Sequence, residues 1–442
     1  MKISRDSIFL IGLITLHIDL GLMSASNIII AKLWGAVPLL LGTYFILKSQ
    51  NRNNEAVYWA SYYGALEVLL RVTGGTIGYE MGKYSVIYFL TLGLFLNHDK
   101  RKNNIWILFL ILLLPSLILT DWSTKNIFEL VRFTISGPIL IAVSAYYFVG
   151  QEFSWHDYKK ILRNILLPII ALSIVLIVET PDLSTIDFRS QSNITTSGGF
   201  GPVHVSSILG LGLLILFVNI LLKQVILQYW WIDTLFWLLL LYRALLTFSR
   251  SGVYTAAVVG FLIILSLFSE KRLRQQAQKY LIWSVFAFVL LVAIWNKVNT
   301  VTGGMAYYRY TGRNSAGVKL QDISTNRTLL IKQELELFSH NPLFGIGVGM
   351  TPVVRKQLYN NPASSHTEYT RLLAEHGIIG IILLIILVSA PIKQYRKTTG
   401  LTRLFFILFA GYALIIMLPA STRTALPLFI YGLSFVKIIE DQ

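Results

Sequence analysis

The chain has 442 residues, of which 55% are hydrophobic and only 14% are charged, and its mean hydropathy is +0.62. Soluble domains carry roughly 25% charged residues, so this composition excludes an ordinary soluble protein and indicates an integral membrane protein. The formal net charge of +16 does not indicate nucleic-acid binding, because basic residues gather in cytoplasmic loops and beside anionic lipid or phosphorylated lipid substrates. Without cysteine, the chain has no disulfide, thiolate catalyst or Cys-based metal site.

Apolar runs between polar breaks predict an all-α membrane protein with about 12 to 14 transmembrane helices, since each crossing needs about 20 apolar residues. The predicted spans lie near residues 7–23, 27–47, 56–72, 81–97, 104–120, 130–149, 161–178, 204–222, 227–247, 252–269, 280–297, 372–391, 403–419 and 424–438. The first run also has the basic start and small residues, Ser24-Ala25-Ser26, of a signal peptide. His17 and Asp19 make it a poor span.

Basic residues alternate along the loops as the positive-inside rule requires if the N-terminus is cytoplasmic. The predicted inner groups are Lys2 and Arg5, Lys48 and Arg52, Lys100 to Lys102, Lys159 and Lys160, Lys223, Lys271 to Arg274, and Lys393 to Lys397. The predicted organisation is N-terminal transmembrane helices at 1–178, an outer loop at 179–203, transmembrane helices at 204–297, a large periplasmic loop at 298–371 and C-terminal transmembrane helices at 372–442.

Cations dominate the predicted outer side, with few carboxylates to balance them. They are Arg71, Lys83, Arg132, Arg189, Arg250, Arg309, Arg313, Arg327 and Arg371. Charges at the membrane edge are costly and mark functional candidates, although an Arg near a helix end also snorkels to the surface. A guanidinium group matches phosphate oxygens, so this set suits a polyanionic ligand.

Four of these cations stand beside glycine-rich or hydroxyl-rich segments. Arg250 lies in the turn Thr247-Phe248-Ser249-Arg250-Ser251-Gly252, and Arg189 precedes Gly198-Gly199-Phe200-Gly201-Pro202. Arg71 and Lys83 flank Thr73-Gly74-Gly75. The glycines permit backbone approach to a ligand, and equally a plain turn.

The second long loop is the richest in polar motifs. Asn326-Arg327 precedes a helical pattern, with Ile331, Leu335 and Phe338 on one face, that ends at Asn341-Pro342. The following Gly345-x-Gly347-x-Gly349 lacks the strand, the helix and the distal acidic residue of a dinucleotide site, so it is predicted to shape a loop.

Ser364-Ser365-His366-Thr367-Glu368-Tyr369 leads into the next helix. Ser365 and Glu368 fit a capping box, which we favour over catalysis for Glu368. His366 would then lie in the first helical turn, where the helix dipole keeps the imidazole neutral and able to act as a base, next to N–H groups that suit an anion. A metal site is not indicated, because His366 and Glu368 are two residues apart and no third ligand lies nearby.

Together, the segments 340–347, 365–369 and 376–380 resemble the O-antigen ligase and polymerase superfamily of bacterial envelopes. Ser249-Arg250-Ser251-Gly252, Asn326-Arg327 and Arg189 add to the resemblance, which covers roughly residues 180 to 390. His204 departs from the pattern, since asparagine is expected after Gly-Phe-Gly-Pro.

The resemblance implies a metal-independent, cofactor-free and inverting glycosyltransferase in the bacterial inner membrane, with its site facing the periplasm. Its donor would be a glycan on undecaprenyl pyrophosphate, and its acceptor a sugar hydroxyl of lipid A-core or another lipid-linked glycan. His366 matches the family's loop histidine and is the expected general base. The expected pyrophosphate ligands are Arg250, Arg189 and Arg327, with Arg71 and Lys83 as further candidates, and the secondary candidates are Glu368, Arg309 and His204.

Several functions stay open at this point. A single extended outer loop that contains the histidine favours a ligase over a polymerase, and the same site suits transfer to a protein hydroxyl. The alternative of another class is a flippase or transporter of lipid-linked oligosaccharide, but no internal repeat is apparent and the candidates lie at the outer edge. We expect His366, Arg250 and Arg189 to line one outward-facing cavity.

Overall fold

The computed structural model describes residues 5–96, 104–269, 281–320, 322, 324 and 326–439, and these residues are mainly helical. The helices of the first half are α1 (Arg5–Ser26), α2 (Ile28–Ser49), α3 (Glu55–Val72), α4 (Met81–Leu96), α5 (Asn104–Leu112), α6 (Leu114–Ile118), α7 (Ile127–Phe148), α8 (Trp155–Glu179) and α9 (Pro202–Leu221). Those of the second half are α10 (Trp230–Leu246), α11 (Arg250–Ser269), α12 (Leu281–Val301), α13 (Met305–Tyr310), α14 (Arg327–His340), α15 (Thr351–Tyr359), α16 (Glu368–His376), α17 (Ile378–Tyr395), α18 (Gly400–Phe406), α19 (Tyr412–Ala420) and α20 (Ala425–Leu433).

The all-α membrane architecture is confirmed. In the described ranges, eight helices are long and apolar enough to cross a membrane by length and composition. They are Ser7–Ser26, Ile28–Ser49, Ile127–Phe148, Trp155–Glu179, Pro202–Leu221, Arg250–Phe268, Ile378–Tyr395 and Gly400–Ala420. The last of these joins α18 to α19 through a π-helical turn, Ile407–Gly411. Strands are limited to β1 (Glu152–Ser154) and β2 (Lys437–Ile439), which pair in parallel with Phe153 opposite Ile438.

The eight spans are fewer than the 12 to 14 predicted, because several predicted crossings carry charges or are short. The helix α3 contains Glu67 and Arg71, and α10 contains Asp233 and Arg243, all four of which are buried or nearly so. Three shorter apolar helices, Met81–Leu96, Asn104–Ile118 and Val289–Val301, add to the set. The number of crossings stays a prediction, as do the domain boundaries.

The first apolar run forms α1, which packs against α8 and α2. His17 is only 5% exposed, and its ring nitrogens lie 2.7 Å from the carbonyl oxygen of Leu13 and 3.0 Å from the hydroxyl of Tyr62. The polar residue that made this run a poor span is therefore satisfied inside the helical packing.

The core is centred on α3, which packs against α2, α4, α8 and α20, and on α9, which packs against α8, α10 and α11. Gly252 allows α9 and α11 to approach closely, since a Cβ atom there would lie 1.8 Å from the carbonyl oxygen of Ser206. The Ser206 hydroxyl accepts from the Gly252 N–H at 3.1 Å and donates to the Ser249 carbonyl at 2.9 Å. This contact fixes the turn that carries Arg250.

Two predicted spans have wrong bounds. The predicted span at 372–391 starts too early, because Gly377, with φ of +61°, separates α16 from the spanning helix α17. The predicted span at 424–438 is too long, because α20 ends at Leu433. The basic groups predicted at Lys2, at Lys100 to Lys102 and at Lys271 to Arg274 lie outside the described residues.

The glycine-rich segment after α14 is a loop, as predicted. Gly345, Gly347 and Gly349 all have positive φ, and the N–H of Ile346 donates to the Ala374 carbonyl at 2.9 Å. A Cβ atom on Gly345 would lie 2.3 Å from the Glu375 backbone. The loop therefore packs directly on the end of α16.

Candidate active site

His366 lies in the segment that leads into α16, two residues before the helix begins. The N-cap is Thr367, whose hydroxyl accepts from the Tyr369 N–H. The predicted capping box is therefore wrong, since Ser365 is not the N-cap and Glu368 is the first helical residue. His366 lies outside the first turn, so a helix dipole does not explain its charge state.

Glu368 is fully buried in a network that joins α16 to the turn after α19. It accepts hydrogen bonds from Arg371, from the Ser421 hydroxyl at 2.6 Å and from the Thr422 hydroxyl at 3.0 Å. Burial alone would raise the pKa of Glu368, but the charge and hydrogen bonds of Arg371 hold it below its usual range. This geometry favours a structural role for Glu368 over a catalytic one.

The turn at 421–424 also contacts the residue directly before His366. The guanidinium group of Arg423 donates to the carbonyl of Ser365, directly before the histidine. The loop of His366 and the turn at 421–424 are thus joined twice, through Ser365 and through Glu368. His366 therefore has a fixed position although it lies in a loop.

His366 is neutral at pH 7. Burial, followed by the charges of Arg423 and Arg327, lowers its pKa from 6.5 to about 4, against the opposing effect of a hydrogen bond with the Pro419 backbone. Its Nδ1 atom is buried and has no hydrogen-bond partner among the described residues. A neutral imidazole with one unused nitrogen is equipped to accept a proton from a bound hydroxyl.

Arg71 and Lys83 form a second group at the ends of α3 and α4. Arg71 pairs with Glu67 at 2.7 Å and lies 3.5 Å from Glu80, while Lys83 pairs with Glu80 at 2.6 Å. Lys83 also donates to the Ser136 hydroxyl at 3.1 Å. The expectation of cations with few carboxylates is wrong for this pair, because both cations are neutralised by buried glutamates.

His204 stands in the first turn of α9 and connects the two groups. It interacts electrostatically with Arg423, Arg71, Lys83 and His366. Its ring packs on Phe200 with the centroids 5.5 Å apart, and its buried Nδ1 also lacks a partner in the described part of the chain. The residue that departs from the family pattern therefore belongs to the cluster.

Arg250, Arg309 and Arg327 form a third group, in which each guanidinium repels the others. Arg309 is 7% exposed, and it donates from Nε to the Phe248 carbonyl at 2.8 Å. Burial, followed by the charge of Arg250, lowers the pKa of Arg309 to about 10. Arg327 is affected by Arg250 in the same way, and it also lies close enough to His366 to affect its pKa.

Arg327 therefore links this group to His366 and Arg423. Arg309, Arg327 and Arg423 form no ion pair with a carboxylate among the described residues. Such a concentration of half-buried or buried positive charge is unfavourable unless an anion compensates it. The arrangement suits a ligand with several negative charges.

Arg189 does not join the cluster. Its side chain is 74% exposed and pairs with the equally exposed Asp187 at 2.9 Å. The loop approaches the third group through the Ser190 carbonyl, which lies 3.4 Å from Arg309, and through Phe188, whose ring centroid is 5.4 Å from that of Phe248. That His366, Arg250 and Arg189 line one cavity stays a prediction, in which Arg327 links the first two residues electrostatically.

Sequence reasoning missed Arg423. It stands in Ser421-Thr422-Arg423-Thr424, an arginine among hydroxyl residues in the turn between two apolar helices. The same pattern had marked Arg250 as a candidate, so the signal was present. Sequence reasoning also missed Glu67 and Glu80, although Glu67 stands four residues before Arg71 and Glu80 three residues before Lys83, spacings at which side chains pair along a helix. Only the contact between Arg71 and Glu80 depends on how α3 meets α4.

Several unsatisfied polar atoms lie in this region. Buried atoms without a partner in the described residues include Arg71 Nε, His204 Nδ1, Ser365 Oγ, His366 Nδ1 and Arg423 Nε. Buried polar groups are normally hydrogen-bonded, so these atoms are available to a polar ligand.

Comparison with protein families adds an independent finding. Residues 235–385 match the family model described as O-Antigen ligase. The comparison with curated proteins found no match. The matched segment includes Arg250, Arg309, Arg327 and His366, whereas the Arg71 and Lys83 group, His204 and Arg423 lie outside it. The resemblance inferred from the motifs is thereby confirmed over this part of the chain.

Proposed function

We propose that the chain, whose residues 235–385 match the O-antigen ligase family model, is a glycosyltransferase that uses a lipid pyrophosphate donor. The proposed donor is a glycan on undecaprenyl pyrophosphate, and the proposed acceptor is a sugar hydroxyl of lipid A-core. The reaction would take place on the periplasmic side of the bacterial inner membrane.

The observation that carries the proposal is the unpartnered nitrogen of a neutral histidine beside arginines without carboxylate partners. In the proposed step, the acceptor hydroxyl gives its proton to Nδ1 of His366 as its oxygen attacks the anomeric carbon. The bond from that carbon to the pyrophosphate oxygen breaks, and the electron pair leaves with the pyrophosphate. Attack opposite the leaving group inverts the configuration of the sugar.

The arginines are proposed to stabilise the charge that builds up on the leaving pyrophosphate. Arg423 and Arg327 are the closest candidates, since both affect His366, and Arg250 extends the set through Arg327. Positioned donors of this kind typically contribute about 10²- to 10³-fold each to the rate. They would take the part that a divalent cation plays in enzymes that use nucleotide sugars.

The alternative acceptor is a second lipid-linked glycan, which would make the protein a polymerase. The two reactions share the proposed donor chemistry, so the choice depends on which intermediate accumulates when the site is disabled. The test is complementation of a deletion strain with His366→Ala and with Arg250→Ala, with assays of cell-surface glycan and of undecaprenyl-linked intermediates. His156→Ala is the matched control, because that histidine is 65% exposed at the start of α8.

Full-length polymer on the lipid carrier, together with bare lipid A-core, would support the ligase. Single repeat units on the carrier would instead identify a polymerase. Normal surface glycan from stably expressed His366→Ala would remove the proposed base.

A further inference from the structure

The aromatic ring of Tyr79 is exposed beside the candidate active site. The residue stands in the turn between α3 and α4, and it is 66% exposed. The guanidinium carbon of Arg71 lies 4.6 Å from the centroid of its ring, and the centroid of the Phe133 ring is 6.0 Å away. The Tyr79 hydroxyl forms no hydrogen bond in the described part of the chain. Much of the ring and its hydroxyl are therefore available to a ligand.

The turn that carries Tyr79 is held by close contacts. A Cβ atom on Gly75 would lie 2.6 Å from the carbonyl oxygen of Ala31 in α2. At the other end of the turn, a Cβ atom on Gly82 would lie 2.4 Å from the side chain of Glu67 in α3. The turn thus packs on both helices, and it presents Tyr79 from a fixed backbone.

The charged residues beside Tyr79 are paired with each other. Arg71 contacts Glu67 at 2.7 Å, and Lys83 contacts Glu80 at 2.6 Å. All four side chains are at most 6% exposed. Because two buried cations directly meet two buried carboxylates, these four residues carry no excess charge that an anion must compensate. A neutral ligand rich in hydroxyl groups suits them better than pyrophosphate.

Two atoms of this paired group have hydrogen-bonding capacity left over. They are Nε of Arg71 and Oε1 of Glu80, which are buried and have no hydrogen-bond partner in the described ranges. The first is a donor and the second an acceptor, whereas a sugar hydroxyl can both accept and donate. A bound hydroxyl group would therefore supply what both atoms lack.

Tyr79 is connected to His366 through the turn that carries Arg423. The phenol lies within electrostatic range of Arg423, whose guanidinium group donates to the carbonyl directly before His366. Glu67 accepts at 2.6 Å from the N–H of Ala425, two residues after Arg423. The exposed ring and the proposed base therefore belong to one continuous set of contacts.

Tyr79 and Arg250 lie at the two ends of this set of neighbours. Arg423 and Arg327 both act on His366, and Arg327 in turn is affected by Arg250. An inverting transfer needs such an order, because the acceptor hydroxyl attacks the anomeric carbon from the face opposite the leaving pyrophosphate. With the pyrophosphate on Arg327 and Arg250, the acceptor sugar lies towards Tyr79.

We propose that Tyr79 is the stacking surface of a subsite that binds the sugar ring of the acceptor. A pyranose has a face of C–H groups, which matches the negative face of an aromatic ring. Its hydroxyl groups match the Tyr79 hydroxyl and the two unused atoms of Arg71 and Glu80. The inference rests on the proposed function, because it assigns the acceptor of that reaction.

The test is a titration of the detergent-purified full chain with soluble acceptor probes, followed by saturation-transfer difference NMR. The probes are the deacylated lipid A-core oligosaccharide and the free oligosaccharide repeat unit, so the two arms distinguish a ligase from a polymerase. We expect one probe to bind and Tyr79→Leu to weaken its binding about tenfold, the loss of one aromatic contact. Tyr79→Phe keeps the ring and should retain most of the affinity.

Tyr44→Leu is the matched control. Tyr44 is 53% exposed and has the ammonium group of Lys48 5.4 Å from its ring centroid, but it lies on the predicted inner side. An exposed tyrosine at a membrane edge is also typical of the interfacial aromatic belt, and a belt residue would not change the affinity for a soluble sugar. Tyr44→Leu should therefore bind the probe as the natural chain does.

Inorganic pyrophosphate, titrated in the same way, distinguishes the acceptor side from the donor side. Its affinity should be equal in the natural chain and in Tyr79→Leu, and a parallel loss would overturn the assignment of Tyr79 to the acceptor. Binding of neither sugar probe by the natural chain would overturn the subsite, as would an unchanged sugar affinity in Tyr79→Leu.

The subsite and the proposed function can fail separately. The binding titrations need no turnover, so sugar binding that depends on Tyr79 in a chain that transfers no glycan would support the subsite and reject the enzyme. Glycan transfer by the natural chain, together with an unchanged acceptor KM in Tyr79→Leu, would reject the subsite and support the enzyme.

Discussion

His366 is kept neutral by burial and by two neighbouring guanidinium groups, Arg423 and Arg327. The sequence had suggested a helix dipole as the cause, and the position of Thr367 as N-cap rules that out. The two causes differ in what they predict, because a neighbouring arginine can be removed by substitution whereas a helix dipole cannot.

The rate of glycan transfer should therefore change little as the pH is lowered from 7 to about 5. With a pKa of about 4, about nine tenths of His366 is in the neutral, basic form at pH 5. A histidine with the ordinary pKa of about 6.5 would have about 3% in that form at the same pH. Activity should stay high above that pKa and fall as the pH drops through about 4. The measurement is kcat/KM between pH 4 and 8 for the purified protein.

Arg423→Gln should move the acid limb of the pH profile, where activity falls, to higher pH. The reason is that loss of the neighbouring positive charge raises the pKa of His366. His156→Ala should leave the limb in place. A limb near pH 6.5 in the natural chain, or no movement in Arg423→Gln, would contradict the role assigned to these neighbours.

At the scale of elements, the crossing of α9 and α11 positions both His204 and Arg250. Gly252→Ala should destabilise the fold by about 1 to 3 kcal/mol, because its Cβ would collide with the Ser206 backbone at 1.8 Å. Gly260→Ala, on the same helix, is the matched control, since its nearest neighbour would lie 3.6 Å away. Thermal unfolding in detergent checks both, and equal melting temperatures would show that the crossing adapts.

The junction between α16 and the turn after α19 should depend on Glu368. Glu368→Gln removes one of the two carboxylates that pair with the buried Arg371, which keeps Glu375 at 2.7 Å, so we expect a cost of about 1 to 3 kcal/mol. We expect the melting temperature and the activity to fall together. His366→Ala should lower activity alone, so an active and fully stable Glu368→Gln would refute the structural role.

At the scale of the whole molecule, the proposed orientation places the candidate active site on the outer side of the membrane and the basic residues after α17 on the inner side. The chain has no cysteine, so single cysteines report sidedness without background. Ala316→Cys, in the loop after α13, should react with a membrane-impermeant maleimide in spheroplasts. Lys397→Cys, after α17, should react only after permeabilisation, and the reverse pattern would invert the proposed orientation.

Much of the architecture follows from local patterns. Apolar runs located the helices, because backbone polar groups in a membrane must be paired within the segment. The glycine loop at 345–349 and the start of α14 at Arg327 were also predicted from local signals. The bounds that failed, at Gly377 and Leu433, lie where an apolar composition continues past the break in the helix.

The features of the candidate site also separate into those that local sequence predicts and those that depend on long-range contacts. Sequence by itself determined the membrane class, the family resemblance and most of the residues near His366, because these depend on composition and on motifs that are contiguous in the chain. Only the tertiary structure decided the long-range contacts, such as Glu80 beside Arg71 and Arg423 beside Ser365. Pairing and burial depend on which helices meet, and residues as distant as Glu67 and Ala425, whose atoms lie 2.6 Å apart, leave no trace of their contact in the sequence.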